Sequence, residues 1–285
     1  MREKYHAPSL LSERRKGLFE SMKVITLNCN GIRSAARKGF YAWMQAQDAD
    51  FVCLQETKAQ EHQLPLEAAA VSHYTGVFLD AEKKGYSGVA IYAKKEPDNI
   101  VRGLGWPEYD REARWVQLDY GTFSIVSFYM PSGAMGPVRQ VVKEAFMERF
   151  YGELRRLRET GRSYVIAGDF NIAHKEIDVY NPVRCSRISG FFPHERAWME
   201  GVFSEIGWVD AFRVVNEESK QFSWWSNFQD AFERNNGWRI DYQLVTPDLR
   251  GSVRSASIYR EQRFSDHAPV IIDYSSAVLT EFRPR

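Results

Sequence analysis

Run after run of strand-type residues in this chain ends in side chains that can do chemistry. "VITLNCNG" closes on Asn28 and Asn30, "FVCLQE" on Glu56, and "SFYMP" carries Tyr129. "VIAGDFN" ends in Asp169 and Asn171, "WRID" delivers Asp241, and "FSDH" delivers Asp266 and His267. One acid at a strand end is ordinarily a turn residue or a helix cap. Six such ends predict instead a shared cleft with four carboxylates (Glu56, Asp169, Asp241 and Asp266), amides, a phenol and an imidazole.

Four carboxylates cannot all ionise in a closed space without counter-charge. A hard divalent cation supplies it. Mg²⁺ takes oxygen ligands, commonly one or two protein carboxylates with water and substrate phosphate completing the shell. Glu56 and Asp266 are the expected ligands, with Asn28 nearby. One histidine and no thiolate argue against zinc. Asp266 and His267 directly precede a strand-type run, and neighbours on a strand point to opposite faces, so each is expected to find its partner elsewhere. His267 would bind a phosphate oxygen while a carboxylate holds its other ring nitrogen, and Asp241 is the candidate. Asp169 is left to orient or deprotonate a water. The set suits in-line attack of water on a phosphodiester.

Positioning these residues requires several strands and a few helices. Strands are expected at "VITLNC", "DFVCLQE", "TGVFLD", "GVAIYAK", "RWVQLDY", "FSIVSFYM", "YVIAGDF", "RIDYQLVT" and "APVIIDY". Three segments read as amphipathic helices. "SAARKGFYAWMQAQ" puts Ala36, Phe40, Trp43 and Met44 on one face. "GPVRQVVKEAFMERFYGELRRLRET" repeats the pattern at Val138, Val142, Phe146, Phe150 and Leu154, and "PHERAWMEGVFSEIG" has proline near its start and glycine at its end. Short turns between strands predict antiparallel pairing, hence an α/β fold with mixed sheets. No glycine-rich nucleotide-binding loop is present.

The chain has 285 residues, 44% hydrophobic and 14% aromatic, which is globular and aromatic-rich. A formal net charge of +1 argues against a strongly basic nucleic-acid binder but leaves room for a local basic patch. Cys29, Cys53 and Cys185 follow no metal or disulfide spacing, which suits a reducing, cytoplasmic setting. No stretch is long enough to span a membrane. Residues 1–22 lack the apolar core of a secretory signal and read as a disordered extension, with Met22 as a candidate natural start. A single catalytic domain is expected over 23–275, with 276–285 a peripheral tail.

From about Met22 to Tyr274 the chain resembles the exonuclease III family of abasic-site (AP) endonucleases, within the endonuclease/exonuclease/phosphatase superfamily. "ADFVCLQETK" at 49–58 and "NNGWRIDYQLVT" at 235–246 carry the resemblance, the latter with Thr246 where serine is usual. "GDFN" and "SDHAPV" also match; "DAFRV…FSWW" matches less well at Ala211 and Val214. The resemblance implies a four-layer α/β sandwich with its site at the mouth between two packed mixed sheets. It implies metal binding by Glu56 and Asp266 with Asn28 and Asn30 in support, Mg²⁺ being the expected ion and Mn²⁺ a substitute. It gives Asp169 the attacking water, Asn171 and Tyr129 the phosphate, and His267 the phosphate with Asp241 behind it. Asp169, His267 and Tyr129 all remain capable of serving as general base.

The implied activity is incision of DNA 5′ of abasic sites and removal of 3′ blocking groups or nucleotides. The implied partner is double-stranded DNA with abasic sites or 3′ ends; no obligate protein partner is expected. Trp224 and Trp238 match positions that wall a pocket for a flipped, base-less sugar. Lys58, Arg33, Arg37, Lys38, Arg184 and Arg187 are candidates for phosphates beside the cut. One stretch departs from the family: "NPVRCSRISGF" at 181–191 has Cys185 and Ile188 where relatives carry asparagines against the DNA backbone. That leaves mainly 3′-end processing with weak AP incision as an alternative. A lipid- or inositol-phosphate cousin and a non-catalytic regulator related to the catabolite repression control protein compete as well. The presence of Glu56, Asp169, Asn171, Asp241, Asp266 and His267 opposes the regulator.

Overall fold

The computed structural model describes residues 21–69 and 71–275. In chain order the strands are β1 (Ser21–Asn28), β2 (Phe51–Gln55), β3 (Thr75–Leu79), β4 (Val89–Ala93), β5 (Asn99–Arg102), β6 (Trp115–Tyr120), β7 (Phe123–Tyr129), β8 (Ser163–Asp169), β9 (Val209–Asp210), β10 (Trp224–Trp225), β11 (Gly237–Trp238), β12 (Asp241–Val245), β13 (Val253–Ile258) and β14 (Val270–Ser275). They form two mixed six-stranded sheets, β13-β14-β1-β2-β4-β3 and β5-β6-β7-β8-β12-β9, plus the β10-β11 ribbon.

Period-two alternation sorts each strand's side chains between layers. Val24, Phe51, Cys53 and Ile91 of the first sheet meet Leu118, Ile125, Val165 and Val245 of the second. Their neighbours Ile25, Val52 and Leu54 face outward onto Phe40, Trp43 and Met44. On the far side, Val126, Phe128 and Ile166 lie under the helices Pro137–Glu159 and Pro193–Ser204, against Phe146, Phe150 and Met199. Each such buried aliphatic or aromatic side chain contributes about 1.5–3 kcal/mol. The result is the expected helix–sheet–sheet–helix sandwich. Gly168 is required by close approach, since a Cβ there would lie 1.9 Å from the Phe128 carbonyl oxygen.

Several expectations need correction. The first helix is two, Ile32–Arg37 and Phe40–Gln47, broken at Gly39 (φ 85°). The long helix does not bury Val138, which is 78% exposed; its buried row starts at Lys143, where an ion pair rather than an apolar contact opens the stripe. Strands β5, β9, β10, β11 and β13 are additional to the expected ones. Ser21 and Met22, assigned to the extension, pair with Ser275 and Tyr274 of β14. Residues 1–20 of that expected extension, and the 276–285 tail, lie outside the described residues. Among the described residues no helix is long and apolar enough to cross a membrane.

Candidate active site

Sheet register brings the polar strand ends together. Asp169 at the end of β8 is paired with Tyr129 of parallel β7 on one side and with Asp241 of antiparallel β12 on the other. In the facing sheet Asn28 is paired with Gln55, so Glu56 follows directly at the same level. Asn28 then joins the sheets: its Nδ2 donates to Glu56 Oε1 at 2.8 Å and to Asp169 Oδ2 at 2.9 Å. Asn30, Glu56, Lys58 and Asn171 all have φ between 43° and 50°. Left-handed backbone is costly for Glu and Lys, and such residues gather where structure serves a site.

Asp266 and His267 do not sit on a strand. They lie in the loop before β14, with His267 in an isolated bridge to Trp224, and both line the same cavity. Their partners nevertheless differ. His267 Nδ1 lies 2.9 Å from Asp241 Oδ2, and its Nε2 is 3.9 Å from Asp169 Oδ2. Asp266 accepts from Asn30 Nδ2 at 2.9 Å and from the Trp224 indole N–H at 3.2 Å.

The cavity measures about 530 Å³ and is lined by Glu56, Tyr129, Asp169, Asn171, Asp266 and His267. Trp224 and Trp238 form an edge-to-face corner in its wall, centroids 6.3 Å apart. Arg184 and Ile188 lie on its rim, whereas Cys185 points into the small core behind Trp238. Arg33 and Arg187 are exposed outside the lining. Lys38 lines a smaller polar cleft of about 360 Å³ beside Asp266, with Arg263. Lys58 reaches inward, 2.6 Å from Glu56 Oε2 and 2.5 Å from Asn30 Oδ1.

Charge in this cleft is unbalanced. Burial pushes the Asp169 carboxyl up to about 7, with Asp241 adding to the rise against the opposing pull of His267. Burial works against the His267 cation, but the Asp241 carboxylate outweighs it and lifts the imidazole to about 10. Burial, then Glu56, raises the Tyr129 phenol well above its ordinary value despite the Arg114 guanidinium near its ring. Burial opposes the Glu56 and Asp266 carboxylates too, yet both end below the usual range. Lys58 and Asn28 hold Glu56 there; His267, Asn30, Ser265 and Trp224 hold Asp266.

Two supporting residues leave no mark of their role in the sequence pattern. Ser223 donates to Asp241 Oδ2 at 2.6 Å while accepting from the amides of Ile240 and Asp241. Arg114 lies 4.7 Å from the Tyr129 ring centroid and donates to that residue's carbonyl. Neither sits at the end of the strand run that carries its partner, so the strand-end pattern did not reveal them.

Two groups could hold a metal. The Asp169, Asp241 and His267 ligand atoms lie within 4.8 Å of one another. In that group His267 Nδ1 and Asp241 Oδ2 are occupied by each other and by Ser223. The other group, Glu56 and Asn30 with Asp266 hydrogen-bonded to Asn30, offers oxygen: the Lys58 ammonium already sits between Glu56 Oε2 and Asn30 Oδ1, so the nest accepts a cation. All-oxygen donors suit a hard divalent ion.

The chain belongs to the endonuclease/exonuclease/phosphatase family, whose model matches residues 25–267. It is 37% identical over 251 residues to an exodeoxyribonuclease of Bacillus subtilis, covering 87% of this chain and 98% of that one. It is 31% identical to the DNA repair nuclease APEX1 of Danio rerio, covering 94% and 87%. An AP endonuclease structure from Archaeoglobus fulgidus superposes with a TM-score of 0.80 at 27% identity, covering 89% of this chain and 99% of that one. A 3′ phosphatase from Neisseria, bound to a product DNA hairpin, superposes at 0.79 and 26% identity, covering 89% and 99%.

Proposed function

We propose that this chain is a Mg²⁺-dependent DNA repair phosphodiesterase that cuts 5′ of abasic sites and also trims blocked 3′ ends. The observation that carries the reading is the continuous hydrogen-bonded floor of one cavity, from Glu56 through Asn28 to Asp169, with the Asp241–His267 dyad beside it and tryptophans in the wall. Family membership supports the substrate class.

Glu56 and Asp266 would hold the ion, with Asn28 and Asn30 keeping their carboxylates in place. When bound, Mg²⁺ supplies positive charge to the phosphate oxygens and the leaving oxygen; Mn²⁺ is expected to substitute. Asp169 orients the water and takes its proton. Its Oδ1 is pinned by the Asn171 amide at 2.7 Å and its Oδ2 by Asn28, which fixes its direction. His267, backed by Asp241, donates from Nε2 to a non-bridging phosphate oxygen. The neutral Tyr129 phenol donates beside it. Attack forms a new P–O bond to the water oxygen and breaks the P–O3′ bond; the departing 3′ oxygen takes a proton from solvent, leaving a 3′ hydroxyl upstream and a 5′ phosphate on the base-less sugar. The corner of Trp224 and Trp238 suits a sugar without its base. Arg184 and Lys58 hold phosphate charge at the cavity; Arg33 and Arg187 do so farther out.

The test is an end-labelled duplex with one central abasic site and a second duplex with a blocked 3′ end, each with Mg²⁺ and with EDTA. Mg²⁺-dependent cutting immediately 5′ of the abasic site supports the reading. Trimming of the second duplex alone would move the job to 3′-end processing, and no cleavage of either would refute it.

A further inference from the structure

Lys143 and Glu195 are both 0% exposed, and their side chains pair at 2.5 Å. Burying two charges costs several kcal/mol per ion, and a well-packed apolar pair would serve stability as well. The rest of the buried row on Lys143's helix is apolar: Phe146, Met147, Phe150, Leu154 and Leu157. An apolar residue at 143 would simply continue it.

What the pair touches gives the ions a use. Lys143 Nζ donates to the Asn171 carbonyl at 2.8 Å. Glu195 Oε2 accepts from the amides of Gly190 at 2.6 Å and Phe192 at 3.0 Å. The ring closes because the Ala173 amide donates to the Gly190 carbonyl at 2.8 Å. Asn171 is the left-handed residue whose amide pins Asp169. Gly190, at φ 98°, backs the pocket wall: a Cβ there would lie 2.9 Å from the Asn171 carbonyl oxygen and 3.2 Å from the Trp238 ring.

We propose that Lys143 and Glu195 are a positioning pair that locks the segment after β8 to the turn at Gly190, and so sets Asn171 and Trp238 around the scissile phosphate. The pair touches no substrate. The inference rests on the phosphodiesterase reading above for its catalytic consequence, though not for its structural one.

The experiment compares Lys143→Met, Glu195→Leu and the double variant with wild type. Each single variant strands a buried charge and lowers the melting temperature; the double removes both charges and regains part of the loss, the Asn171 carbonyl and the Gly190 and Phe192 amides being left without their side-chain partners. The double variant is nevertheless expected to cleave the abasic duplex with kcat down about 10- to 100-fold, because small misplacements of positioned groups cost that much. Its Asn171 and Ala173 amides should exchange with solvent faster, although their own acceptors, Asp169 Oδ1 and Gly190 O, are untouched. Glu195→Gln keeps an oxygen for Gly190 and Phe192 while stranding the Lys143 charge; it melts lower than wild type, and a several-fold loss of kcat is expected below that melting temperature even if the double variant folds poorly. Wild-type kcat in a folded double variant, with unchanged exchange, would overturn the positioning role. Wild type that cuts nothing would sink the phosphodiesterase reading instead, and the exchange comparison would still judge the pair.

Discussion

Two clusters of buried charge flank the short stretch from Trp238 to Asp241, and they are built to opposite ends. In one, Asp178 and Asp210 face Arg239 and Arg213: Arg239 contacts Asp178 at 2.8 Å and Asp210 at 2.7 Å, and Arg213 meets Asp178 at 2.6 Å. Two carboxylates are matched by two guanidiniums. In the other, among the described residues, the cations in direct contact with the Glu56, Asp169, Asp241 and Asp266 cluster are His267 and Lys58. The matched cluster holds Asp178 well below the usual carboxylate range: burial opposes ionisation, and Arg239 and Arg213 overcome it. The unmatched cluster drives Asp169 up to about 7. Matched buried charge fastens a fold, whereas unmatched buried acid holds places for charges that arrive with a substrate and its ion.

That contrast breaks most visibly at Asp169. Asp169→Asn should lower the cleavage rate by about 10²- to 10⁴-fold. Its melting temperature at neutral pH should hold or rise, because the raised carboxyl favours the folded state only at low pH and that benefit is lost as pH rises toward 7. Asp178→Asn should do the reverse. Removing one partner of the buried pair costs about 3–5 kcal/mol of unfolding free energy at neutral pH, while the folded fraction cuts at near the wild-type rate. The depressed carboxyl contributes above its unfolded pKa, and that contribution is lost as pH falls through the acid range. The melting difference from wild type should therefore shrink in acid, which denaturation curves across pH would reveal.

Smaller effects sharpen the picture. Ser223→Ala deprives Asp241 of its 2.6 Å donor and should cost about 1–3 kcal/mol in stability, with roughly a tenfold fall in kcat as the dyad loosens. Arg184→Ala, on the rim, should raise KM a few-fold, leave kcat nearly unchanged, and flatten the salt dependence of binding by about one ion. A stability loss at Arg184 comparable to that at Asp178 would blur the division between the two clusters.

The catalytic cluster was more legible in the sequence than the structural one. Its residues lie at the ends of strand-type runs: Asn28, Glu56, Tyr129 and Asp169 close theirs, and Asp241 opens β12, whose antiparallel pairing sets it beside Asp169, so they could be grouped before any contact was known. Asp178 and Arg213 end no such run, Asp210 ends only the two-residue β9, and the three come together through the chain path between β8 and β12 and the pairing of β9 with β12. Lys143 was hidden differently: it occupies an apolar-row position, where a charged residue reads as a solvated face until Glu195 is placed beside it. Helix faces failed at their ends for a related reason. Val138 has the right period, but the first turn of its helix lies beyond the core, and periodicity does not say where a core stops. The loop geometry of Asp266 and His267 defeated the strand argument about their faces, although each still takes a different partner.

One rate tests the division between the two clusters most directly: single-turnover cleavage of a duplex with one abasic site, in Mg²⁺, by Asp169→Asn beside Asp178→Asn at a temperature where both are folded. That division predicts at least about a hundredfold loss for Asp169→Asn and a near wild-type rate for Asp178→Asn. Equal rates for the two variants, or a loss of less than about tenfold in Asp169→Asn, would contradict it.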